Sequence, residues 1–245
     1  PPSFGMYPFS TVVNGGNYVE VPRRADFSLD VEGIETAVST HPNTKVLFLC
    51  SPNNPNGSLI PEDELRRLLA LPVLVVLDEA YIDFAEVNGA SSRMSWVQKY
   101  QNLAVLRTFS KLAGLAGLRV GYGAFPQWLL PHILKIKQPY NINVAAGLAA
   151  TASLADTDWL REKVGLLVAE RERMERELAQ ISFLEPYPSQ SNFVLSRVIG
   201  RSAQQLKLDL EKEGILVRYF NKPGLDNCIR ISAGRPDQVD RLLSV

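Results

Sequence analysis

The chain has 245 residues, with 26 Lys+Arg balancing 26 Asp+Glu to a formal net charge of zero, which excludes the basic surplus that a nucleic-acid backbone demands of its partner. At 46% hydrophobic and 21% charged residues it has the composition of a folded globular protein, and its longest apolar run, Leu68 to Leu77 with Pro72 inside it, is about half a bilayer span. Two cysteines, Cys50 and Cys228, and two histidines, His41 and His132, make neither a disulfide framework nor a zinc site, so no metal is expected and a reducing compartment is the default.

The chain opens on Pro1-Pro2-Ser3-Phe4 without an initiator Met or a targeting signature, and reads as the interior of a longer protein. Five short runs of β-branched and aliphatic residues follow: Tyr18 to Val21, Lys45 to Cys50, Val73 to Leu77, Leu103 to Arg107, and Leu118 to Ala124. They are continuously apolar, which predicts strands buried on both faces. Between them the spacing predicts helices at Leu29 to Thr40, after the start signals Asp26 and Ser28, and at Pro61 to Leu71, where proline precedes a run of acids. Strands alternating with helices imply an α/β unit with a mostly parallel sheet. Only about seven residues separate Lys111 from the run at Leu118, too few for a parallel crossover, so that last strand is predicted to be antiparallel.

A long helix is predicted from about Asp156 to Ile181, with Leu160, Val164, Leu167, Val168, Arg171, Met174 and Leu178 on one side and the charged run Glu170 to Glu177 as a solvated face. A turn marked by Pro186 and Pro188 leads to a strand at Asn192 to Ser196, a helix at Ala203 to Glu213, strands at Ile215 to Tyr219 and Cys228 to Ser232, and a final helix. The expected organisation is a larger α/β domain over 1–155, and a connecting helix with a small α+β domain over 156–245.

Ligands of open α/β sheets bind at the carboxyl ends of the strands. Those ends carry Ser51-Pro52-Asn53-Asn54-Pro55-Asn56-Gly57, then Asp78-Glu79-Ala80-Tyr81, then Thr108-Phe109-Ser110-Lys111, with Arg119 eight positions on. A lysine in an apolar framework is a Schiff-base candidate, because desolvation favours the neutral amine. A carboxylate on a buried strand end needs a cationic partner, for which a protonated pyridine nitrogen serves. Hydroxyls at Thr108 and Ser110 with the guanidinium of Arg119 suit a phosphate, and Asn54 and Tyr81 suit a phenolic oxygen. Together these are the needs of pyridoxal 5'-phosphate. Asp78-Glu79 also suits the acids of an ATPase, yet Gly-x-x-x-x-Gly-Lys-Ser/Thr occurs nowhere. Gly121-Tyr122-Gly123 lacks the third glycine of a dinucleotide loop and lies in a predicted strand. Tyr81 and Phe4 are open to a plain core reading, and Arg218 and Arg230 to a rim ion-pair reading.

Five motifs in register resemble fold-type I pyridoxal-phosphate enzymes and, among them, the histidinol-phosphate aminotransferase family: Ser51 to Gly57, Val76 to Tyr81, Arg107 to Gly121, Ser191 to Val194 and Asn227 to Ser232. The resemblance implies a large domain with a mostly parallel sheet plus a small C-terminal domain. It implies that Lys111 carries the cofactor as a Schiff base and shuttles the substrate proton, and that Asp78 pairs with the pyridinium nitrogen. Asn54 and Tyr81 would hold the ring hydroxyl, Thr108, Ser110 and Arg119 the phosphate, and Phe4 would lie against the ring. Arg230 matches the arginine that clamps an α-carboxylate; Arg218 is a second candidate for a substrate phosphate, and which arginine takes which group is left open. The implied reaction interconverts histidinol phosphate plus 2-oxoglutarate with imidazole acetol phosphate plus glutamate, in a homodimer. Rivals are an aromatic amino-acid aminotransferase, a related decarboxylase, and a catalytically silent fragment of the fold. The family's glycine-containing phosphate turn and first strands have no counterpart after Pro1, and Asn56 stands where the family more often has Thr, at a turn position expected to tolerate change. The segments Lys137 to Asn141 and Gly121 to Pro126 are most similar to versions from photosynthetic eukaryotes, which implies a soluble protein of the plastid stroma, with the cytoplasm as the default otherwise.

Overall fold

The structure, a computed structural model, describes residues 1–140 and 142–245; Asn141, the last residue of one segment singled out above, lies outside the described residues. Helix α1 (Met6–Val13) has no sequence signal, since its eight residues include Pro8, three β-branched side chains and no charge. Tyr18 to Val21, expected as a strand, is an exposed extended segment instead, with Tyr18 and Val19 51% and 53% exposed. A strand is held by its ladder of hydrogen bonds, and among the described residues no strand runs beside this one. Helix α2 (Val31–Thr40) starts later than expected. Asp30 caps it by accepting from the Gly33 amide, while Asp26 accepts from the amide and hydroxyl of Ser28 in the preceding turn.

Strand β1 (Val46–Cys50), helix α3 (Glu62–Leu69), strand β2 (Leu74–Asp78), the short helix α4 (Ile82–Glu86) and strands β3 (Leu103–Thr108) and β4 (Gly121–Ala124) build the first sheet. Its order is β1-β2-β3-β4; the first three strands are parallel and β4 runs antiparallel to β3, as the short connection requires. The register places Cys50 beside Asp78 and Asp78 beside Leu106, which brings the carboxyl ends of three strands to one edge. Strands β2 and β3 are enclosed through Val75, Leu77, Leu103 and Val105, which pack with Leu65 and Leu68 of α3. Each such side chain contributes about 1.5–3 kcal/mol of burial. Strand β1 differs from expectation: it is an edge, and Val46 and Phe48 are 40% and 38% exposed. Strand β4 starts later than expected, because Ala116–Leu118 form a 3-10 turn and Arg119 takes a left-handed conformation with φ 56°.

Helices α5 (Leu130–Ile136) and α6 (Val144–Ala155) lead into the long α7 (Thr157–Leu178), whose inner stripe is Leu160, Val164, Val168, Arg171, Met174 and Leu178. The charged run there is not wholly a solvated face. Arg171 is 1% exposed, donating to the Ser191 carbonyl (3.3 Å) and pairing with Glu172 (2.8 Å). Strands β5 (Leu184–Pro186) and β6 (Phe193–Val198), helix α8 (Ala203–Lys212), strands β7 (Arg218–Tyr219) and β8 (Cys228–Ser232) and helix α9 (Pro236–Leu243) complete the chain. The second sheet, β5-β6-β8-β7, is antiparallel throughout. Strand β7 is shorter than the expected Ile215 to Tyr219, because the Ile215 amide is still bonded to Leu210 at the end of α8. The two sheets are bridged by Tyr81 and Phe193, edge to face at 5.2 Å, packed with Phe84, Val164 and Val168. No helix among the described residues is long and apolar enough to cross a membrane.

Candidate active site

The turn after β1 is built around Asn53, which is fully buried. Its carbonyl oxygen accepts from the Ser3 hydroxyl (2.8 Å), and its amide nitrogen donates to Asn56 Oδ1 (2.7 Å) and to the Pro2 carbonyl (3.2 Å). Asn56, expected at a tolerant position, is therefore buried and bonded. Gly57 closes the turn at φ 79°, its amide bonded to the Asn53 carbonyl. A Cβ on Gly57 would stand 2.0 Å from Ser189 Oγ, so only glycine lets the 189–191 loop approach. This packing presents Asn54, whose Oδ1 accepts from Arg230 Nη1 at 2.6 Å and so ties the two sheets together across the site.

Asp78 terminates β2. One carboxylate oxygen accepts from the Ala80 amide (3.0 Å), and the other accepts from the hydroxyl of Tyr7 (2.8 Å). Tyr7 was not singled out in the sequence. Its ring stacks on Phe48 at 5.0 Å and meets the edge of Phe4 at 5.6 Å, and burial, with Cys50 and Asp78 nearby, pushes its phenol far above the ordinary range, keeping it a donor. The spacing of Phe4 and Tyr7, about one helical turn, is the signal that links them. Phe4 itself is 41% exposed on the open side of the site. Glu79, beside Asp78, is structural: buried, it accepts from the Ser92 hydroxyl and the Arg93 amide, and burial raises its pKa.

Tyr81 is buried against Phe193, and burial, with smaller effects of neighbouring charges, pushes its phenol up to about 12; Arg230 opposes the shift. Lys111 Nζ lies 5.3 Å from the Tyr81 ring centroid. Burial, then the Arg230 and Arg119 charges, push its amine below the ordinary lysine value, against the pull of Asp78. Among the described residues Lys111 has no ion-pair partner. Thr108 Oγ1 accepts from the Ser110 amide (3.0 Å) and faces the Val120 carbonyl (3.4 Å). Arg119 is exposed and donates to the Ala116 carbonyl (2.9 Å), so it shares the loop with Thr108 and Ser110 but bonds to neither side chain.

Arg230 lies over two aromatic rings, 4.6 Å from the centroid of Phe193 and 5.7 Å from that of Phe220. Its Nε is buried without a partner, and burial lowers its pKa, as does Arg218. Arg218 is paired directly with Arg230 in the β7–β8 register and lies 5.5 Å from Phe220. Like charges opposite one another in a sheet repel, so the pair invites an anion. Among the described residues no cluster suits a metal ion. A cleft of about 470 Å³ between α7 and the 186–190 turn is lined by none of the chemistry-bearing residues above. An amine biased toward neutrality, an acid held between two donors, a phenol with no hydrogen-bond partner among the described residues, and a guanidinium bonded to Asn54 through Nη1 but with its buried Nε free form a donor set that fits pyridoxal phosphate.

The chain thus combines an α/β sheet carrying a lysine, an aspartate and a tyrosine at its carboxyl edge with an antiparallel second sheet tied to it through Arg230. Residues 1–245 match the profile of aminotransferase class I and II, and the chain belongs to that family. It is 51% identical over 244 residues to histidinol-phosphate aminotransferase 1, chloroplastic, of Arabidopsis thaliana, covering 99% of this chain and 58% of that protein. It is 48% identical to the histidinol-phosphate aminotransferase of Roseiflexus castenholzii, covering 100% of this chain and 66% of that one. The chain thus spans about three fifths of the length of the plant relatives it matches. The crystal structure of the Sinorhizobium meliloti histidinol-phosphate aminotransferase in complex with pyridoxal-5'-phosphate superposes with a TM-score of 0.87 at 32% identity, covering 99% of this chain and 67% of that one. The Clostridium acetobutylicum histidinol-phosphate aminotransferase gives 0.92 at 29%, covering 99% and 74%.

Proposed function

We propose that this protein is a pyridoxal-phosphate-dependent aminotransferase that exchanges an amino group between glutamate and imidazole acetol phosphate, giving 2-oxoglutarate and histidinol phosphate, reversibly. The observation that carries the reading is Lys111: a half-buried amine without a counter-ion, pushed toward neutrality, facing Tyr81 and within the field of Asp78. The cofactor supplies an electron sink when bound. Lys111 Nζ would take the proton from the donor's α-carbon and deliver it on the cofactor's side of the transferred nitrogen, so that the donor leaves as a keto compound, a task for a base whose pKa lies below that of an ordinary lysine. Asp78, held by Tyr7 and the Ala80 amide, is the anion to pair with a ring nitrogen; Asn54 and Tyr81 suit the ring hydroxyl, Thr108, Ser110 and Arg119 the phosphate, and Phe4 the ring face. Arg230 and Arg218 suit the anionic end of the substrate.

This reading assigns residues 1–155 to cofactor binding and 156–245 to closing the substrate side, and it includes assembly as a homodimer. The plant relatives carry the word chloroplastic in their names, which supports a plastid location. The test is turnover of histidinol phosphate with 2-oxoglutarate, beside phenylalanine as donor and an assay for released carbon dioxide. Preferential turnover of histidinol phosphate without carbon dioxide supports the proposal; faster turnover of phenylalanine, or carbon dioxide release, replaces it with an aromatic aminotransferase or a decarboxylase. Loss of cofactor colour on desalting, with no turnover, replaces it with a silent fold.

A further inference from the structure

Lys222 stands in the loop between β7 and β8, two positions after Phe220, and is exposed. Its Nζ lies 3.5 Å from where a Cβ on Gly5 would be. The loop therefore reaches from the second sheet across to the segment that carries Phe4 and Tyr7, and brings an ammonium group to the mouth of the site. Gly5 is also the residue at which α1 begins, where the first amides carry partial positive charge. Lys222 consequently finds no compensation on the side it faces.

The same holds for its neighbours. Among the described residues no carboxylate lies within 4.0 Å of a side-chain nitrogen of Lys222, Arg218 or Arg230. Arg218 and Arg230 face each other across the β7–β8 ladder and lie 5.5 Å and 5.7 Å from the centroid of Phe220, and the Nε of Arg230 is buried without a partner. Two cations thus flank Phe220, and a third, Lys222, follows it by two positions on the loop that reaches Gly5, with no acid within ion-pairing distance of any of the three among the described residues. Uncompensated charge at the rim of a cleft is a field that attracts an anion. One guanidinium, which can grip two oxygens at once, suffices for a carboxylate of charge −1. A phosphate monoester carries about −1.5 to −2 at pH 7 and presents three acceptor oxygens, so it can occupy the further cations as well.

We infer that Lys222 is a specificity-determining residue that contacts the phosphate end of a phosphorylated amino donor, so that the site favours a phosphate monoester over a carboxylate in the same place. The inference rests on the aminotransferase reading for its substrate, while the phosphate contact can be measured by itself. Lys222→Met keeps the aliphatic stem and removes the charge; Lys222→Arg keeps the charge. In the full-length protein loaded with pyridoxal phosphate, which fills the cofactor's own phosphate cradle, Lys222→Met raises KM for histidinol phosphate by about tenfold, the size of one charge-assisted contact, with kcat changed by no more than about twofold. KM for glutamate stays at the parent value, and Lys222→Arg restores most of the loss. Calorimetric titration of the loaded protein with inorganic phosphate shows a matching rise in Kd for Lys222→Met. An equal rise in KM for glutamate, or an unchanged Kd for inorganic phosphate, overturns the inference. If the parent protein does not turn over histidinol phosphate, the substrate reading falls, and the phosphate titration still decides whether Lys222 holds an anion.

Discussion

Gly57→Ala tests how the site is assembled, because two separate costs can be worked from the geometry. The backbone there has φ 79°, and a residue with a Cβ in the left-handed region costs about 1–2 kcal/mol. The added methyl would also stand 2.0 Å from Ser189 Oγ, 2.8 Å from its Cβ and 3.0 Å from its Cα, a clash that rotation of the hydroxyl alone does not relieve. Overpacking of this kind costs about 1–3 kcal/mol more. The sum of about 2–5 kcal/mol corresponds to a fall in Tm of roughly 4–20 °C for a chain of this size. Since the same turn presents Asn54 to Arg230, affinity for the cofactor is expected to fall with stability. Thermal and urea unfolding of Gly57→Ala, Ser189→Gly and the double variant separate the two costs. Ser189→Gly removes the hydroxyl and Cβ from the clash but leaves the close approach to the backbone of residue 189 and the strain at residue 57, so the double variant should recover most of the packing loss and none of the conformational one. A Gly57→Ala protein melting within about a degree of the parent, or strictly additive losses in the double variant, would refute the claim that the turn is fixed by close approach to Ser189.

Two further perturbations probe the chemistry. Tyr7→Phe deletes the hydroxyl that bonds Asp78 and keeps the ring on Phe48; a hydrogen bond to a charged group contributes about 1.5–3 kcal/mol to the folded state, so the melting temperature should fall by roughly 3–12 °C, and the Kd for pyridoxal phosphate should rise because Asp78 is no longer held; an unchanged Kd would remove Tyr7 from the site. Arg230→Gln removes one of the cations that lower the Lys111 pKa, so that pKa should rise, a smaller fraction of the amine should be neutral at a given pH, and the midpoint of the pH dependence of borohydride-trapped cofactor should move to higher pH, still below that of an exposed lysine because burial remains the larger cause. A midpoint that stays or moves down contradicts the assigned electrostatics.

The parts of the fold legible in the sequence are those fixed by local pattern. Strands β2 and β3 open on unbroken apolar runs, Leu74 to Leu77 and Leu103 to Leu106, β8 alternates Ile229 and Ile231 with Arg230, and the direction of β4 follows from the length of its connection alone. Asp78, Thr108 and Lys111 were legible because a strand end places its residues wherever the strand goes. What the sequence hid depends on distant partners. Helix α1 has no cap and no amphipathic charge, so nothing local announced Tyr7, whose hydrogen bond with Asp78 spans 71 positions. Tyr18 to Val21 has a strand's composition but no neighbour to pair with among the described residues. Asn56 read as a tolerant turn residue until Asn53 was found bonded to it inside the core. Arg171 falls on the apolar stripe of α7 by its spacing, but the partner that makes its burial possible, the Ser191 carbonyl, lies twenty positions on. Lys222 carries no motif, and its place beside Gly5 comes from the approach of one sheet to the other.

The central claim is that Lys111 carries the cofactor, and the direct measurement is borohydride reduction of the protein after incubation with pyridoxal phosphate, followed by peptide mapping, with Lys111→Ala in parallel. The account predicts a single dominant pyridoxyl label on Lys111, formed at a pH where exposed lysines remain protonated and absent from the variant. A label distributed over surface lysines, or one that persists undiminished in Lys111→Ala, contradicts it.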